Sequence, residues 1–164
     1  MKKLVMLIAI VLGAVAGAAF AQDSGWENNI GIYFDAEGTT AINNDGTAGV
    51  KHVHVVLTDL TTSTVDGFEC KIIGSGGLLV SYDSKVFPID TINVGTRYGE
   101  IIAGVSGPLM VAEGHAMVME FDIIVTDPTI PGHLFIEPVY FASIEGTAVF
   151  LSGGELIAAR NSTA

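Results

Sequence analysis

Residues 51–73 alternate apolar and polar side chains with a period of two, in two runs separated by a polar connection. In KHVHVVLTDL, Val53, Val55 and Leu57 alternate with His52, His54 and Val56. In FECKII, Phe68, Cys70 and Ile72 alternate with Glu69 and Lys71. Successive side chains of a β-strand point to opposite faces, so each run has one apolar face and one mixed face. The connection TTSTVDG is rich in Thr, Ser, Asp and Gly, the composition of a polar turn between antiparallel strands. The stretch therefore predicts a central β-hairpin whose six alternating residues point into one core.

The same period recurs along the chain. Strands are expected at 30–35, 78–82, 89–94, 99–106, 116–126, 133–141, 147–151 and 156–159, with turn signals between them. Asp83-Ser84-Lys85 is read as a turn, Gly107-Pro108 as a break, and Asp127-Pro128 with Pro131-Gly132 as the end of the longest run. No stretch after residue 21 carries a helical repeat. Together with 20 glycines in 164 residues, this predicts an all-β domain, an antiparallel β-sandwich or jelly roll of about nine strands.

Lys2 and Lys3 precede an apolar run, 4–19, and Ala19-Phe20-Ala21 is a small-x-small cleavage sequence before Gln22. Residues 1–21 are expected to be a signal peptide and 22–164 a single secreted domain, extracellular or periplasmic. The run is near the lower length limit of a spanning helix, so no membrane insertion is expected after cleavage. The whole chain carries −11; without Lys2 and Lys3, five cationic residues face 18 acidic ones, a net charge of −13. Such a surface repels nucleic acid and anionic membrane. A lone cysteine makes no internal disulfide, and Cys70, on the face of Phe68 and Ile72, is expected to be a buried, inert thiol.

Several of these elements stand in a telling order: the strand VHVVLTDL, then Val65-Asp66-Gly67-Phe68 opening the next, then Tyr82-Asp83 at a strand end. The glycine-led strand GHAMVMEFDIIV follows, and a late hairpin ends in Gly153-Gly154-Glu155-Leu156. Over roughly two-thirds of the chain this pattern resembles the cohesin-like group of β-sandwiches, related in fold to several carbohydrate-binding modules. The resemblance implies a cohesin-like jelly roll and a non-catalytic binding or structural domain, and it assigns no binding residues.

His52 and His54 project from one strand face and could share a metal, given further ligands that spacing does not supply. Asp35, Glu37, Asn43, Asn44 and Asp45 offer the hard oxygens that calcium takes, and Asn-Asn-Asp-Gly is equally a sequence for a turn. Trp26, Tyr33 and Tyr98, with Tyr82 and Tyr140, could stack on a sugar ring. Ser81, Ser84 and Ser106 lie outside any nucleophile elbow, and Glu100, Glu120, Asp122 and Glu137 form a carboxylate pair only if the fold brings two together. The expectation is a secreted, non-enzymatic domain that engages a protein partner in an extracellular or surface assembly. A carbohydrate-binding module is the alternative and a hydrolase the third reading. No cofactor is expected, calcium being the ion the acidic loop could take.

Overall fold

The computed structural model describes residues 26–161. The expected signal peptide lies outside the described residues. Those residues form ten strands and no helix: β1 Asn29–Tyr33, β2 Gly49–Thr58, β3 Thr64–Ser75, β4 Leu78–Val86 and β5 Thr91–Asn93. The rest are β6 Glu100–Met110, β7 Ala116–Val125, β8 His133–Glu137, β9 Ala148–Ser152 and β10 Glu155–Asn161. Nine lie side by side in the order β4-β7-β2-β1-β10-β9-β3-β6-β5, and β8 adds to β3. The sheet is mixed rather than purely antiparallel, because β1 pairs with β10 in parallel through Asn29–Arg160 and Ile30–Asn161.

The alternation in 51–73 does place Val53, Val55, Leu57, Phe68, Cys70 and Ile72 in one core, each no more than 4% exposed. The two strands are not a hairpin. β2 pairs with β1 and β7, while β3 pairs with β6, β8 and β9. Three strands separate β2 from β3 along the sheet. At ~4.8 Å per strand, a flat sheet would hold them about 19 Å apart. Their side chains share a core because the sheet curls back on itself. A hairpin would have put both apolar faces on the same side of one layer, with nothing opposite to cover them. Residues 59–63 instead cross between the halves, with Leu60 N–H donating to Gly114 O and Val111 N–H to Ser63 O.

Two expected interruptions are irregularities within strands. The pairing of β4 with β7 shifts between Ser81 and Val86, where the Ser84 hydroxyl donates to Ser81 O and Lys85 Nζ to Tyr82 O. So 83–85 forms a kink, not a turn. β6 runs through Gly107-Pro108, where its register with β3 shifts. The β5 partner of β6 has ended at Thr91–Val105, so Pro108 removes no ladder bond on that side. By contrast, β8 ends at Glu137 and the expected strand to Phe141 becomes a loop.

Val56 shares the mixed face of β2 with His52 and His54 yet is fully buried. The turn after β1 folds over it: Gly38, at φ +73°, lies so close that a Cβ there would sit 2.9 Å from Thr58 Cγ2 and 3.2 Å from Val56 Cγ1. Glycine meets both demands, the left-handed backbone and the close approach. Cys70 is fully buried and burial pushes its thiol up to about 12, with the Glu69 charge adding to the shift.

Candidate functional site

The outer face of β2–β7–β4 is built from three cross-strand rows. Val50, Ile124 and Leu79 form the first, His52, Asp122 and Ser81 the second, and His54, Glu120 and Val86 the third. The period of two sets this composition: the inward residues of β7, among them Met119, Phe121 and Ile123, are core, so Glu120, Asp122 and Ile124 face out. The first row is exposed at 64%, 39% and 59%, an apolar strip beside a polar one.

Within the polar rows the imidazoles and carboxylates converge. His52 Nδ1 lies 2.9 Å from Asp122 Oδ1, and its Nε2 lies 3.2 Å from Glu120 Oε2. His54 Nδ1 is 3.6 Å from that same Glu120 oxygen, buried and without a hydrogen-bond partner. The two rings meet edge to face at 5.1 Å between centroids. Hydrogen bonds that the ring donates to the carboxylates of Asp122 and then Glu120 raise the His52 pKa above its ordinary value. Behind the cluster, Ser84 Oγ accepts the Asp122 N–H at 2.7 Å and locks β7 against the kink in β4. Among the described residues, His52, His54 and Glu120 are the set of His, Cys, Asp and Glu that brings three ligand atoms within 4.8 Å of one another.

The acidic loop behaves otherwise. Asp35 accepts from the Thr39 N–H and hydroxyl, and Asn43 Oδ1 accepts from the Asp45 N–H. Asp45 accepts from the Thr47 N–H and hydroxyl and pairs with Lys51 Nζ at 2.5 Å. These oxygens close turns, and Glu37 joins no three-ligand set. Asn43, Asp45 and Lys51 line a cleft of about 870 Å³ with Ile30, Phe34 and Leu134.

The aromatic candidates separate. Tyr33 is buried at 2% exposure, opposite His54 on β1, and offers no face to a ligand. Trp26 is exposed with the Arg160 guanidinium 4.3 Å above its ring. Tyr98 is 79% exposed and packs edge-on against Tyr82 at 4.2 Å. Near it the sequence reading missed a partner: Arg97 stacks on Tyr140 at 3.6 Å, and exposed Phe141 lies 4.6 Å from Tyr140. The loop bearing Tyr140 and Phe141 is held by two buried carboxylates, Glu100 accepting the Tyr140 N–H and Glu69 accepting both the N–H and the hydroxyl of Ser143. Glu137 pairs with Lys71. The four carboxylates considered as an acid/base pair are thus engaged separately, apart from Glu120 and Asp122, which bracket His52.

No protein-family model matches the chain, and neither a curated protein nor a solved structure similar to it was found. The fold and the outer-face geometry are therefore the basis for a functional reading.

Proposed function

We propose that the chain is a secreted, non-catalytic β-sandwich domain, cohesin-like in architecture, that binds a protein partner through the outer face of β2–β7–β4. The observation that carries this reading is the exposed row Val50–Ile124–Leu79 lying against the His52, His54, Glu120 and Asp122 cluster. An apolar strip flanked by charge is the composition of an interface with a dry centre and a polar rim. The net charge, −13 once Lys2 and Lys3 leave with the signal peptide, selects a partner with a basic rim and steers its approach. The sandwich reading is supported by the curl that brings β2 and β3 into one core.

The test is pull-down from the native secretome with wild-type protein and with Leu79→Asp. The expected result is a basic partner retained at low salt, released at high salt and lost with Leu79→Asp. Retention that ignores both salt and Leu79→Asp overturns the assignment of this face.

The exposed pair of rings Tyr140 and Phe141 favours a second reading, a carbohydrate-binding module, since rings buttressed by Arg97 can stack on a pyranose. Salt-insensitive retention on an insoluble polysaccharide, abolished by Tyr140→Ala, would put that reading first.

A further inference from the structure

We propose that His52, His54 and Glu120 form a binding site for a divalent transition-metal ion, zinc by donor chemistry, on the outer face of the sheet. Three observations converge. The first is separation: Glu120 Oε2 lies 3.2 Å from His52 Nε2 and 3.6 Å from His54 Nδ1. Ligand atoms around a tetrahedral zinc, each at ~2.0–2.1 Å, stand roughly 3.3 Å apart, so small side-chain rotations bring these atoms to one centre. The second is the buried His54 Nδ1, which has no hydrogen-bond partner in the protein. A buried ring nitrogen costs free energy unless it is satisfied, and a cation at this point satisfies it.

The third is the support behind His52. If Nε2 is the ligand, Nδ1 must carry a proton and hand it to an acceptor, and Asp122 Oδ1 stands 2.9 Å away in the cross-strand position. That carboxylate–imidazole–metal series is how ligating histidines are oriented and made more basic. Asp122 is itself fixed through its backbone by Ser84. Two imidazoles and one carboxylate suit zinc and its neighbours and exclude calcium and magnesium, which need more oxygen ligands. Three protein ligands leave a fourth position, and His52 is half-exposed, so that position opens to solvent beside the Val50–Ile124–Leu79 row. The ion would there accept a water or a side chain of a bound molecule.

This inference does not depend on the partner reading, because it is read on the isolated chain. Purified protein in chelator-free buffer is titrated with zinc sulfate by calorimetry while the imidazole signals are followed by NMR. One equivalent should bind. The His52 and His54 rings should shift, and those of His115 and His133 should not. His54→Ala and Glu120→Gln should each weaken binding at least tenfold, and Asp122→Asn about tenfold or more. Equimolar magnesium or calcium should not compete. The ring signals of the wild-type protein decide the matter even if a variant fails to fold. Unmoved His52 and His54 rings at millimolar zinc would overturn the proposal, as would undiminished binding in folded His54→Ala and Glu120→Gln.

Discussion

Glu69 and Ser143 are joined by two hydrogen bonds, from the Ser143 N–H at 2.6 Å and from its hydroxyl at 2.9 Å, across 74 residues of chain. Glu69 is 7% exposed and sits on the outward face of β3. The pair turns the back of the sheet into a seat for the loop after β8. Glu100 does the same one strand away for Tyr140. The loop's exposed aromatics are therefore displayed on an anchored segment rather than a free one.

Removing that anchor should be costly. Glu69→Ala leaves the Ser143 donors without their acceptor and should lower unfolding free energy by about 1–3 kcal/mol. Glu69→Gln keeps one acceptor oxygen and should cost less. Urea unfolding of both variants checks the order. Equal stability of the alanine variant and wild type would mean water replaces the carboxylate freely.

Phe68 belongs to the same buried core as Val53 and Leu57 and lies 6.3 Å from the Phe87 ring. Phe68→Ala should cost about 3–5 kcal/mol, since a curled sheet held at many points collapses poorly around a cavity. The denaturation midpoint should fall with little change in slope. A cost under about 1 kcal/mol would show that the two halves of the sheet do not close on this residue.

The sequence reading of 51–73 was right about burial and wrong about neighbours, for one physical reason. A period of two reports which side chains share a face, and Val53 and Phe68 were legible that way. It carries no information on which strand lies alongside, because backbone pairing is indifferent to side-chain identity. The same limit hid the site. His52 and Asp122 are 70 residues apart, and the β2–β7 register alone brings them together. A signal was present all the same: Glu120 and Asp122 repeat on β7 the i, i+2 spacing of His52 and His54 on β2. Local chemistry was misread at Asp83-Ser84-Lys85 and Gly107-Pro108, where turn residues kink a strand that its neighbours hold extended. It was misread also at 64–67, which open β3 rather than close a turn, and after Glu137, where the expected strand gives way to a loop.

In the metal-free protein His52 should titrate above the ordinary imidazole value of 6.5, because Asp122 and then Glu120 hydrogen-bond its charged form. The sign follows from linkage: a raised folded value adds stability that is fully present below about pH 6.5 and fades as pH rises through the folded value. His54 is the other titratable group packed against this ring. NMR titration should show the His52 transition displaced upward in wild type and moved back toward 6.5 in Asp122→Asn. An unchanged transition in that variant would remove Asp122 as the principal cause.

Asp45 is predicted to keep its charge in strongly acidic solution, and with it the shape of the loop before β2. The Lys51 ammonium, and after it the Thr47 N–H, hold its carboxyl at about 2 against an ordinary 3.8. A depressed folded value gives a contribution present above about 3.8 and lost as pH falls through about 2. The pair is at the surface, so the expected readout is local: the Asp45 carboxyl carbon should titrate near 2, and in Lys51→Met its midpoint should rise toward 3.8. The same contacts bear on calcium. With Asp45 committed to Lys51 and Thr47, and Asp35 to Thr39, the loop has few free oxygens to offer an ion that takes six to eight. Millimolar calcium should leave the Asp35 and Asp45 signals and the melting temperature unmoved. A calcium-dependent rise in melting temperature that disappears in Asp45→Asn would show that the loop opens its turn contacts to bind the ion.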